Sequence, residues 1–240
     1  EPERTLGGRL TKKARAKKKA AGTLGKGVKK GSHADAVMSL SWNAHFRNVL
    51  ASGSADETVK LWDVVEGKCQ TTLKHHSDKV QSVVWNPAEG AVLATGGFEG
   101  AACVLDVRVD DPARAALRWS LSSDVEAIAW DAADPTKFAA SADDGSVGVY
   151  DARAGGGSAP LLTLPRTKKP QCCMAFNPGA RGLLATGSVC FETSFILAPT
   201  SGMAKGMSAM AAGVPSGLPN ANGALHDIPS EMQPELQGRL

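Results

Sequence analysis

One pattern recurs three times in this chain, about 45 residues apart, and nothing else in the sequence constrains the fold as tightly. The first copy runs through His33–Val37, Ser41-Trp42-Asn43, Leu50–Asp56 and Thr58–Asp63, with Trp62 before its last residue. The second runs through His76–Val80, Trp85-Asn86-Pro87, Leu93–Glu99 and Cys103–Asp106. The third runs through Asp124-Val125, Trp130-Asp131, Phe138–Asp144 and Val147–Asp151. A fourth begins around Phe176. Repeats of this length ending in Trp-Asp mark the blades of a β-propeller. A single blade cannot cover both faces of its own sheet, so each needs neighbours.

Each copy divides into four short strands. In the first, Ala36–Trp42 alternates as a half-buried strand should. Val49–Ser54 and Thr58–Asp63 follow, with a turn at Ala55–Glu57 and an outermost strand near Thr71–Leu73. The small residues Ala51, Ser52 and Gly53 suit crowding near a propeller axis. The copies resemble the WD40 family, in which a loop His, a strand Ser or Thr, a turn Asp and a strand Trp join in one hydrogen-bonded chain. The resemblance implies His33, Ser52, Asp56 and Trp62 in the first copy. The second offers His76 and Thr95, with Glu99 at the Asp position and Leu105 at the Trp position. The third offers Ser141 or a neighbour, Asp144 and Tyr150, with Leu121 where the His would stand. Leu105 has no N–H to donate, so the second network is expected to be broken.

The expected fold is all-β, a partial WD40 β-propeller of three full repeats and part of a fourth. Three regions are expected: a disordered basic arm over 1–32, the repeats over 33–190, and a low-complexity, disordered tail over 191–240. Propellers close with four to eight blades, so the chain reads as a fragment, and the break in mid-repeat suggests read-through from a mis-spliced transcript. The net charge of +3 conceals a split. Residues 1–30 hold eleven Lys or Arg against Glu1 and Glu3, while the remainder carries an acidic excess. Lys12, Lys13, Arg15, Lys17, Lys18 and Lys19 stand in the arm with no aromatic residue, so it cannot form a core. Such a run suits nuclear import or contact with RNA phosphates.

No catalytic constellation is present: no P-loop, GxSxG or HExxH motif appears. The chain is expected to be no enzyme, with no cofactor, no metal and no small-molecule substrate. The pair His75-His76 lacks an evident third ligand and reads as a loop. Cys172-Cys173 sits on an expected strand, where neighbours point to opposite faces. Gly155–Gly157 reads as a loop and not a phosphate cradle. With no apolar run of spanning length, membrane contact is not expected, and the five cysteines are expected to be reduced. Asp106-Val-Arg108 and Asp151-Ala-Arg153 resemble the WDxR box of cullin-RING ligase receptors, which would make Arg108 and Arg153 adaptor contacts; the plainer reading is a solvated strand end.

Taken together, Leu40-Ser-Trp-Asn43, Arg47-Asn-Val-Leu-Ala-Ser52, His76-Ser-Asp-Lys-Val-Gln81 and Asp151-Ala-Arg153 resemble the periodic tryptophan protein 1 family over roughly 24–190. The resemblance implies a nuclear and nucleolar scaffold in large-subunit assembly and ribosomal RNA processing, with pre-ribosomal proteins and ribosomal RNA as partners. Chromatin or histone binding in transcription, and the ligase-receptor role, are the alternatives. Candidate partner loops are Ala44–Asn48, Glu66–Lys68 and Ala88–Gly90.

Overall fold

Short runs rich in β-branched and small residues, separated by Asp/Gly turns, build four antiparallel sheets set side by side as a partial propeller. The computed structural model describes residues 5–8, 12–20, 29–188 and 193–197. Blade one holds β1 (Val37–Trp42), β2 (Val49–Ser54), β3 (Val59–Asp63) and β4 (Lys68–Leu73), in that spatial order. Blade two holds β5 (Val80–Trp85), β6 (Val92–Gly97), β7 (Ala101–Asp106) and β8 (Leu117–Ser120). Blade three holds β9 (Val125–Trp130), β10 (Lys137–Ala142), β11 (Val147–Asp151) and β12 (Leu162–Thr163). Blade four, as far as described, holds β13 (Gln171–Phe176), β14 (Leu183–Ser188) and β15 (Thr193–Leu197).

Two expectations are corrected. Lys12–Ala20 forms a helix, α1, inside the arm expected to be disordered. Its sequence alternates only Lys, Arg and Ala, which are strong helix formers even where no core exists. The tail expected to begin at 191 also starts with structure. β15 pairs with β14 from Gly187↔Thr193 to Leu183↔Leu197, giving a third strand where the repeat was expected to break off. The remainder of the expected tail lies outside the described residues, as does Cys190.

The hydrophobic cores lie between blades. One joins Ala51, Val59, Leu61 and Leu73 of blade one to Val80, Val83, Trp85, Leu93 and Leu105 of blade two. The next joins Trp119 of blade two to Trp130, Phe138 and Tyr150 of blade three, and the third joins Val147 and Val149 to Leu184 of blade four. Each fully buried aliphatic side chain contributes roughly 1.5–3 kcal/mol, and here every such contribution needs two blades. Gly53 and Gly96 explain the small-residue strands. A Cβ at Gly53 would stand 2.6 Å from Val83 of the next blade, and one at Gly96 would stand 2.5 Å from Val125. The crowding is therefore from the neighbouring blade.

Polar bonds cross the same boundaries. Ser39 and Ser41 each accept from blade two, from the Val83 and Trp85 N–H groups at 3.1 Å, and Ser82 accepts from Ile128 N–H at 3.1 Å. The residue after each inner-strand Trp is a clamp. Asn43 Oδ1 accepts from the His45 and Phe46 N–H groups of its own turn, while its Nδ2 donates to Gly90 O at 2.6 Å. Asn86 repeats this with Ala88, Glu89 and Pro135 O, the last at 2.7 Å. Asp131 does it with reversed polarity, accepting from Gly182 N–H at 3.2 Å. β1 departs from the half-buried pattern expected of it. Trp42 is 59 % exposed, whereas Trp85 and Trp130 at the same position are 5 % and 6 % exposed.

Candidate functional site: blade networks and an inter-blade cleft

The first-blade network has the expected members. Trp62 Nε1–H donates to Ser52 Oγ at 2.8 Å, and Ser52 Oγ lies 2.7 Å from His33 Nε2. His33 Nδ1 lies 3.0 Å from Asp56 Oδ2, and Thr58 O–H donates to Asp56 Oδ1 at 2.5 Å. Burial holds the His33 imidazole below its ordinary range, against the pull of Asp56. Burial alone would raise the Asp56 carboxyl. Hydrogen bonds from Thr58, the Ala34 N–H and His33 outweigh it and hold Asp56 at about 2. A neutral His33 carrying its proton on Nδ1 then satisfies every link.

Blade two was expected to be broken, and it is not. His76 Nε2 and His75 Nε2 both lie 2.8 Å from Thr95 Oγ1. His76 Nδ1 lies 2.5 Å from Glu99 Oε1, which also accepts from Arg118 Nη2 at 2.8 Å. A hydroxyl can donate once and accept twice, so Thr95 can serve both imidazoles as Ser52 serves His33 and Trp62. His75 thus occupies the role that Leu105 cannot fill. Burial, with the neighbouring His76 second, pushes the His75 imidazole down to about 3. Cys103 stands directly across the strand pair from Thr95, and burial pushes its thiol up to about 11. His75 and His76 lie in the loop between β4 and β5, and among the described residues they and Cys103 bring their ligand atoms within 4.8 Å of one another. No spacing rule could find this, because Cys103 reaches the pair only through the strand register.

Blade three divides the expected network. By strand register Ala140, not Ser141, stands where Ser52 stands in blade one. Ser141 O–H donates instead to Gln171 O at 2.7 Å, in blade four. Asp144 accepts from Ser122 and Ser146 and pairs with Arg166 at 2.6 Å. Burial alone would raise its carboxyl, but these partners hold it at about 2. Tyr150 is not joined to Asp144; its ring stacks on Phe138 at 5.3 Å, in the core with Trp119. With Leu121 replacing the loop His, apolar packing does here what hydrogen bonds do in blades one and two.

The remaining candidates lie apart. Lys12, Lys13, Arg15, Lys17, Lys18 and Lys19 are all exposed on α1. Arg108 and Arg153 fold back onto Asp106 and Asp151, with ion pairs of 2.6 and 2.8 Å. Between blades one and two a cleft of about 670 Å³ opens, lined among others by Phe46, Trp62, Trp85, Glu89 and Arg108. Two of the three candidate loops, Ala44–Asn48 and Ala88–Gly90, contribute to its wall. No described helix is long and apolar enough to cross a membrane.

These blades, their shared cores and their His-centred networks define the class: the chain is a WD40-repeat protein. The model of the WD domain, G-beta repeat family matches residues 26–63 and 67–106. Periodic tryptophan protein 1 of Saccharomyces cerevisiae is 32% identical over 65% of this chain and 28% of its own length. The Drosophila melanogaster homolog of that protein is 32% identical over 52% of this chain and 27% of its own. An uncharacterized WD repeat-containing protein of Schizosaccharomyces pombe is 37% identical over 78% of this chain and 34% of its own. Within its class, the chain is similar over its repeats to periodic tryptophan protein 1, and it spans about a quarter to a third of the length of these relatives.

Proposed function

We propose that the chain acts as a non-catalytic scaffold in ribosome biogenesis, in the nucleus and nucleolus. Pre-ribosomal proteins would meet the blades, with the cleft between blades one and two as the contact surface, and α1 would hold ribosomal RNA through its phosphates. One observation carries the reading: six cationic side chains crowd a nine-residue helix with no buried residue, while His33, Asp56 and Trp62 of blade one are engaged in structural bonds. Exposed cationic charge can neutralise phosphates, and each neutralised phosphate releases counterions. The likeness to periodic tryptophan protein 1 supports the choice of ribosomal precursors as the partner.

The test is sedimentation of the tagged chain from nuclear extract, with and without RNase. Co-migration with large-subunit precursors that is lost on RNase treatment supports the proposal. A chain that stays at the top of the gradient while binding histone-tail peptides would replace it with the chromatin reading. Replacing Lys17, Lys18 and Lys19 by Ala is expected to reduce the slope of log affinity against log salt by about 2 for single-stranded RNA.

A further inference from the structure

Blade two holds something its siblings do not. At the position of Cys103, blade one has Lys60 and blade three has Gly148, as the strand registers with Ser52 and Ala140 show. Lys60 fills its place with an ammonium that donates to Thr72 Oγ1 at 2.8 Å. Gly148 leaves its place to the Tyr150 side chain, whose hydroxyl stands 2.8 Å from where a Cβ would be. In blade two a thiol stands there instead, facing two imidazoles.

We propose that His75, His76 and Cys103 form a binding site for a zinc-class d10 metal ion, with Glu99 as the residue that orients His76. Two imidazoles and a thiolate are a ligand set that such ions prefer over hard cations. The donor atoms lie within 4.8 Å of one another. Zinc bonds of about 2.0–2.3 Å would require them to close by only about 1 Å. The imidazoles already converge, with ring centroids 4.4 Å apart. His76 has the arrangement found around metal-bound histidines. Its Nδ1–H points at the Glu99 carboxylate at 2.5 Å, which leaves the Nε2 lone pair facing the site. His75 carries a buried Nδ1 with no hydrogen-bond partner, and Glu99 a buried Oε2 likewise unused by the structural network.

The competing charge is accounted for. Arg118 reaches the site at its rim, donating to Cys103 Sγ at 3.6 Å and to Glu99 at 2.8 Å. A guanidinium there supports a thiolate as well as a thiol, and the Glu99 carboxylate offsets its charge. On binding, the Cys103 S–H gives its proton to solvent as the metal–sulfur bond forms. Thr95 O–H turns from the imidazoles to the fourth coordination position or yields it to water.

The experiment is a cobalt(II) titration of the reduced, untagged chain, read by absorption. The expected result is one equivalent bound in a tetrahedral spectrum with a thiolate-to-cobalt charge-transfer band, displaced by zinc. Cys103→Ser is expected to abolish that band. Glu99→Gln, which keeps a hydrogen-bonding group on His76, is expected to weaken binding by about 10- to 100-fold while leaving the circular dichroism unchanged. The proposal is overturned if the folded wild-type chain develops no charge-transfer band. It is equally overturned if the band survives in Cys103→Ser, since the thiolate would then come from another cysteine.

Discussion

Blades one and two solve one problem with different residues. Both need a hydroxyl on the second strand held between an imidazole and a second N–H donor. Blade one takes that donor from its third strand, as Trp62. Blade two has Leu105 there, buried in the core shared with blade one, and takes the donor from the loop before its first strand, as His75. What these two blades share is the hydroxyl with its bonds filled, and the residue that fills them is negotiable. The reason is energetic: a buried polar group left unpaired costs roughly 1–3 kcal/mol, whichever strand its partner comes from.

That comparison can be broken most forcefully at the hydroxyl of blade two. Thr95→Val keeps the shape and removes the group both imidazoles use, so we expect a loss of about 3 kcal/mol in urea unfolding. A loss below 1 kcal/mol would mean that the two histidines are not held there. In blade one, Asp56→Ala should cost about 2 kcal/mol, because His33 and Thr58 lose one shared acceptor. Unchanged thermal unfolding would remove Asp56 from the network.

The pH dependence sharpens the comparison further. Asp56 titrates at about 2 when folded, below its unfolded value, so its contribution is complete above about pH 4 and fades as pH falls toward 2. His33 is also lowered on folding, so the native state resists its protonation and stability declines as pH drops below about 6.5. Urea midpoints measured from pH 7 to pH 3 should fall throughout, and Asp56→Asn should flatten the lower part of that curve. The smallest effect belongs to the strand ends. Arg108→Ala and Arg153→Ala should each leave the urea midpoint unchanged, since exposed ion pairs contribute little. A loss of partner binding in either variant, with stability intact, would revive the adaptor role.

Most of the architecture could be read from periodicity. The Trp-Asn, Trp-Asn-Pro and Trp-Asp steps placed the inner strands of the first three blades, and Leu-Ala-Ser-Gly with its relatives placed the second strands. The network of blade one was legible because its four members sit at the family's positions. Blade two was misread because a rule tied to one position cannot see a substitute from another. In blade three the sequence left Ser141 and its neighbours open, because in a strand one residue turns the side chain to the other face and only the register settles which it is. The clamping role of Asn43, Asn86 and Asp131 was missed although the residues had been noted, because it exists only between blades. α1 was missed because a helix with no core partner leaves no periodic trace.

Those three clamps have a consequence for how such chains change length. Each reaches across a single boundary, from one corner to the next. Duplicating a whole repeat, or deleting one, would break one clamp and remake one of the same design. Blade count is thus insulated from blade chemistry: a gene can lengthen or shorten the array while each unit goes on meeting a neighbour of the kind it already fits.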